Sequence, residues 1–112
     1  MSIQITGDLL ALDRKVRHAI QRHAEALQAR FPNQNIELLA RVSEEFDQIN
    51  GHRVRCELLA ERQRIVVRAA RKGAEEAIDE AFDGIKKQFR QMSLRASLRQ
   101  RGEAVVATAG MA

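Results

Sequence analysis

The sequence predicts an α+β fold: a two-layer β-α-β-β-β-α sandwich whose four-stranded sheet carries both helices on one face. Two observations lead there. The apolar spacing changes from alternation to a helical stripe, back to alternation, and to a stripe again along the 112 residues,. Each stretch also has a single apolar face, which it can bury only against the others. A chain of this length holds one core.

Ser2 to Thr6 reads as a short strand, with Ile3 and Ile5 on one side, ended by Gly7 and Asp8,. Leu12, Val16, Ala19, Ile20, Ala24, Leu27 and Phe31 then recur three to five apart, the stripe of a helix over about residues 13 to 30,. Asp13 is placed to cap it, and Pro32 with Asn33 stops it,. Residues 36 to 43 alternate, with Ile36, Leu38, Ala40 and Val42 inward,. Glu44 to Gly51 carries Asp47, Asn50 and Gly51 and reads as a mobile loop, within which Phe46 is expected to fold back onto the core,. Strands over 53 to 59 and 64 to 70 follow, with Val54, Cys56, Leu58, Ile65, Val67 and Ala69 inward and a tight hairpin between them,. The short connections require antiparallel pairing, whereas the first strand returns through a helix and is expected to pair in parallel. Gly73 opens a second helix with the stripe Ala74, Ala77, Ile78, Ala81, Phe82, Ile85, Phe89 and Met92,. Gly84 inside it costs about 1 kcal/mol relative to alanine, which points to close packing at that position,.

Hydrophobic residues make up 45% and charged residues 30%, a globular balance,. No apolar run approaches the roughly 18 residues of a membrane span, and the N-terminus does not read as a signal peptide, so a cytoplasmic protein without a membrane partner is expected,. The single cysteine, Cys56, lies at an inward strand position and reads as a small core hydrophobe,. His18 and His23 are five apart and do not share a helix face as a metal pair would,. With no phosphate-cradling glycine loop and no nucleophile elbow, an enzyme, a small-molecule substrate and a cofactor are not expected,.

Charge is the remaining chemistry. Nineteen Lys and Arg against fifteen Asp and Glu give +4, and a basic, arginine-rich chain favours an anionic partner, nucleic acid first. Helix two is divided: Glu75, Glu76, Asp79, Glu80 and Asp83 precede Lys86, Lys87, Arg90, Arg95, Arg99 and Arg101. Basic residues at a helix C-terminus complement its dipole, but that effect fades within a turn, and here the run is expected to outlast the helix. Alternation places Arg41, Arg53, Arg55, Arg64 and Arg68 outward on the open sheet with Glu37 and Glu57, and helix one adds Arg14, Lys15, Arg17, Arg22 and Arg30 off its stripe. The residues expected to contact RNA are therefore Lys86, Lys87, Arg90, Arg95, Arg17, Arg22, Arg41, Arg53, Arg55, Arg64 and Arg68. With no Trp or Tyr and four Phe, such contacts rest on phosphate and shape more than on base stacking,.

The opening segment Ile3 to Gly7 (IQITG), the helix carrying Leu12, Val16 and Arg17, and the segment AIDEAFDGIKKQF from Ala77 to Phe89 resemble the ribosome hibernation-promoting factors. The similarity spans about residues 1 to 92. It implies the same β-α-β-β-β-α domain, bound to small-subunit rRNA of the bacterial ribosome near the decoding site, where it blocks mRNA and tRNA in starved cells. The length fits the short class, with residues 1–92 as the binding domain and 93–112 as a basic extension and disordered tail, dispensable from about residue 102. The chain departs from the family at Gly73, Ala74 and Glu75, where Asp-Met-Tyr is common. It also departs at Ala26, Ala29, Gly84 and Gln91, where Lys or Arg is common. Two other readings stay open: a protein-interaction module using the open sheet or the acidic segment Glu44 to Asp47, and a general double-stranded RNA binder.

Overall fold

The computed structural model describes the backbone of residues 1–101 and the side chains of residues 1–95. In chain order it contains β1 (Ser2–Gly7), a 3-10 turn (Leu9–Leu12), α1 (Arg14–Arg30), β2 (Glu37–Asp47), β3 (Gly51–Ala60), β4 (Ile65–Arg71) and α2 (Ala74–Arg101). The sheet order is β1-β2-β3-β4. β1 pairs with β2 in parallel, from Ser2 with Glu37 to Gly7 with Val42, because α1 carries the chain back to the starting end,. The other two pairings are antiparallel. Both helices follow upward-running strands, so they run parallel to each other, as the pairs His23 with Asp79 and Phe31 with Phe89 show.

The core lies between the sheet and the helix layer. Leu38, Ala40 and Val42 of β2 and Val54, Cys56 and Leu58 of β3 meet Val16, Ile20, Ala24 and Leu27 of α1 and Ala77, Ile78, Ala81, Phe82, Ile85 and Phe89 of α2 in one buried cluster. Each fully buried side chain of this size contributes about 1.5 to 3 kcal/mol of burial free energy. Burial, and then the neighbouring Glu57 charge, push the Cys56 thiol up to about 12, which leaves it a packing residue,.

Asp13 caps α1 as expected, accepting the N–H groups of Lys15 (2.8 Å) and Val16 (3.2 Å),. Leu12, in contrast, does not belong to the α1 stripe. It closes the 3-10 turn and is exposed, because Asp13 is extended and the helical phase begins only after it. Asp8 organises this corner: its carboxylate accepts Leu10 N–H (2.9 Å) and Glu44 N–H (2.7 Å), tying the turn to β2. Those bonds, the one from Glu44 foremost, hold its carboxyl below the usual aspartate range.

Three further expectations are corrected. The segment from Glu44 to Gly51 is not a loop: β2 runs to Asp47 and β3 starts at Gly51, with residues 48–50 as the turn. Phe46 accordingly stands on a strand and is 78% exposed rather than folded onto the core. Helix α2 continues past Met92 to Arg101, so the basic run does not outlast it. The expected tail, residues 102–112, lies outside the described residues.

Gly84 is half-buried against the sheet, and a Cβ there would stand 2.7 Å from Val67 Cγ1. Valine is stiff at χ1 and cannot swing aside. Gly84→Ala is therefore expected to lower stability by about 1 kcal/mol, the overpacking outweighing the gain in helix propensity. In a Val67→Ala background the same change should become neutral or stabilising when measured by urea denaturation; an equal cost in both backgrounds would rule out this contact as the cause.

Candidate nucleic-acid interface

The seam between the two helices is a line of three shallow depressions. At the N-terminal end of the helices lie Leu10, Asp13, Lys15, Val16, Ala74, Glu75 and Ile78. In the middle lie Ala19, Arg22, His23, Ala26, Glu75 and Asp79. At the C-terminal end a groove of about 200 Å³ is lined by His23, Ala26, Leu27, Arg30, Phe82, Asp83 and Lys86. The seam is held shut by His23, whose ring stacks on Phe82 at 5.0 Å and whose Nε2 lies 2.7 Å from Asp79 Oδ1. On α1 the seam is lined by bases from end to end, Lys15, Arg22 and Arg30. On α2 it changes from acidic to basic at Asp83 and Lys86, so both walls are basic only toward the C-terminal end.

Lys86 has its stem against this groove and its amine 3.9 Å from Asp83, a long, surface-screened approach,. Lys87 and Arg90 are exposed on the outer side of α2 and make no ion pair among the described residues. Arg95 is exposed one turn further on,. The extended α2 alters the meaning of these charges. Arg99 and Arg101 fall in its last turn, where the dipole favours them, but Arg90 precedes the helix end by about three turns, beyond the dipole's reach,. Lys86, Lys87 and Arg90 are thus the cations that helix electrostatics leave unexplained.

Arg22 lies on the seam, but Arg17 does not. It faces the opposite flank of α1, where its guanidinium donates to Ala11 O (3.4 Å) beside Leu12, Arg14, His18 and Gln21. Arg30, legible in the sequence as one of the bases off the helix-one stripe, was not among the residues expected to contact RNA. It forms the α1 wall opposite Lys86, and its eight-residue spacing from Arg22, close to two turns, was the available signal,.

The open sheet face proves balanced rather than basic. Arg68 pairs with Glu57 (3.0 Å), its cross-strand partner, and Arg55 with Glu45 (3.4 Å) on the diagonal,. Arg53 is half-buried and donates to Ala70 O (2.7 Å), and its Nε has no partner among the described residues. Arg41 is exposed in the same row as Glu57 and Arg68 and makes no ion pair among the described residues. Arg64 is not on this face: it occupies the β3–β4 turn with φ of 55°, so strand alternation does not apply to it. The outward positions of the strands also carry Glu37, Glu45 and Asp47, which match the four remaining arginines together with Glu57.

The departures from the hibernation-factor pattern acquire a physical meaning here. Gly84 faces β4 rather than solvent, so the chain fills that space with Val67 instead of a long side chain. Ala26 lines the groove together with Arg30 and Lys86, where it adds neither bulk nor charge. Among the described residues, no group of three His, Cys, Asp or Glu is placed to hold a metal ion, and no helix is long and apolar enough to cross a membrane.

Comparison with known proteins agrees with this architecture. The Thermus thermophilus Protein Y N-terminal domain superimposes with a TM-score of 0.63 at 17% identity, covering 82% of this chain and 99% of that one. A ribosomal subunit interface protein from Coxiella burnetii superimposes with a TM-score of 0.59 at 15% identity, covering 84% and 99%. At such identities the likeness shows the fold alone. No curated protein matches the chain. The family model described as Sigma 54 modulation protein / S30EA ribosomal protein matches residues 3–97, nearly the whole described chain, and the protein belongs to that family.

Proposed function

We propose that this protein is a ribosome-associated translation inhibitor, a hibernation factor that binds small-subunit rRNA near the decoding site and keeps mRNA and tRNA out. The observation that carries the reading is the basic C-terminal half of the helix layer, in a member of the S30EA family. Arg30 and Lys86 face each other across the groove, and Lys87, Arg90 and Arg95 extend the same end outward. Exposed cations without carboxylate partners are free to displace counterions from a phosphate backbone. Arg22 and Arg41 are secondary contacts in this reading, whereas Arg53, Arg55 and Arg68 are engaged within the sheet. The main binding unit in this reading is residues 1–92, and the basic extension that starts at residue 93 adds Arg95 to the contacts.

Co-sedimentation of the full chain with ribosomes and with isolated small subunits, across a salt series, tests this. Binding at low salt is expected to weaken steeply, with log K falling against log[salt] at a slope of about −4, as for about five phosphate contacts. An excess of arbitrary duplex RNA should not displace the protein. Equal competition by the duplex would instead identify a general double-stranded RNA binder, and absence from the ribosome pellet at low salt would overturn the proposal.

A further inference from the structure

The β2–β3 hairpin reaches beyond the rest of the sheet. β1 ends its pairing at Val42, and β4 ends at Val54, so the rungs Glu45 with Arg53, Phe46 with His52 and Asp47 with Gly51 form a two-stranded ribbon that no third strand flanks among the described residues. From Val42 to the turn this ribbon extends roughly 15 Å. At its end Phe46 is 78% and Ile49 90% exposed. Single exposed apolar residues are ordinary, but a Phe and an Ile three positions apart on one projecting tip are a patch.

The tip is held in shape. Asp47 accepts Ile49 N–H (2.8 Å) and the Asn50 side-chain amide (2.9 Å), and Gly51 adopts φ of +76° to close the turn,. Below it, His52 Nε2 lies 2.7 Å from Glu44 Oε2 on one face, and Arg55 pairs with Glu45 on the other. The exposure of Phe46 and Ile49 is therefore built into the fold rather than a result of slack chain.

Charge decides the kind of partner. Residues 43–52 contain Glu44, Glu45 and Asp47 and no Lys or Arg. The tip rises at the end of the sheet where α2 begins, a helix whose first turn carries Glu75 and Glu76, while Lys86 lies about 18 Å further along that helix,. The end as a whole is mixed, since Arg53, Arg55, Arg71 and Lys72 also lie there and Glu45 is paired with Arg55, but the tip residues themselves offer a phosphate backbone no cation. We infer that the Phe46–Ile49 tip docks in an apolar pocket with a basic rim on a protein, one presented by the ribosome beside the RNA that the helices grip. The inference rests on the ribosome reading and deepens it: the helices supply salt-sensitive affinity, and the tip supplies a salt-insensitive contact and the register.

Two measurements on the full chain test it. In co-sedimentation with ribosomes, Phe46→Ser combined with Ile49→Ser is expected to lower affinity about tenfold to a hundredfold, as for removal of a buried apolar anchor, without changing the salt slope. Both side chains are exposed in the free protein, so the fold should survive, as circular dichroism would show. In the second measurement, a benzophenone amino acid at position 49 is photoactivated on the ribosome. A ribonuclease-resistant adduct to one ribosomal protein is expected. A ribonuclease-sensitive adduct to rRNA, no adduct on pelleted ribosomes, or a double variant binding like the parent would each overturn the tip contact while leaving ribosome binding intact. Failure of the parent chain to pellet at all would remove both readings.

Discussion

Replacing Lys86, Lys87 and Arg90 together with Glu is expected to abolish ribosome association while leaving the domain folded. The core packing of this part of α2 comes from Ile85 and Phe89, both fully buried, and the three altered side chains lie off that stripe,. Among the described residues the substitutions remove only the 3.9 Å approach of Lys86 to Asp83, in which both groups are substantially exposed and screened,. New like-charge neighbours along an already acidic helix cost about 0.2 to 0.5 kcal/mol per pair, a small fraction of a domain's stability. Binding changes on another scale. Three phosphate contacts disappear, three repulsions replace them, and the salt slope of any remaining association should flatten by about 2 to 3. A folded triple variant that pellets like the parent would shift the interface to other exposed cations, Arg22, Arg30, Arg41 and Arg95 first.

What the sequence disclosed of this fold was whatever is encoded locally. The cap at Asp13, the stop at Pro32 and the α2 stripe each depend on residues within a few positions, and each is found where the pattern places it. The β2–β3 ribbon was hidden because its stability comes from across the hairpin. Glu44, Asp47 and Asn50 are poor strand residues by propensity, yet the pairs Glu44 with His52 and Glu45 with Arg55 exist only once the strands are in register,. The length of α2 was hidden for a different reason. Apolar periodicity stops at Met92, and Leu94 is exposed, but Leu, Arg, Ala and Gln continue without a breaker until Gly102. Propensity, which needs no tertiary contact, favours helix through this stretch.

The same division separates the charges that were legible from those that were not. That the sheet bears arginines is visible by alternation, but that Arg55 and Arg68 are matched by carboxylates depends on register, and one misplaced residue at Arg64 shows how sharply alternation fails at a turn. The helix layer was easier to read, since a charge on a helix keeps its angle regardless of tertiary pairing. The exception was Arg30, which gains importance only because the helices run parallel and bring it to Lys86.

Gly7→Ala is expected to be strongly destabilising, although it adds one methyl group to an exposed residue. Gly7 has φ of +138°, a region that L-residues rarely enter, and adopting it costs of order 1 to 3 kcal/mol for any other residue,. A Cβ there would also fall 1.8 Å from the carbonyl oxygen of Val42, the residue with which Gly7 pairs. That oxygen is backbone in a central strand and accepts the N–H of Asp8 at 3.3 Å, so it cannot turn away without breaking the end of the parallel ladder. Displacing Gly7 moves Asp8, and Asp8 holds both Leu10 N–H and Glu44 N–H, which join the 3-10 turn to β2. Destabilisation by about 3 kcal/mol or more is expected in urea denaturation, with the Glu44 amide becoming faster to exchange than in the parent. Asp8→Ala removes the two carboxylate bonds without the steric conflict and should cost less. If Gly7→Ala were as stable as the parent, the parallel register of Gly7 on Val42 would be wrong.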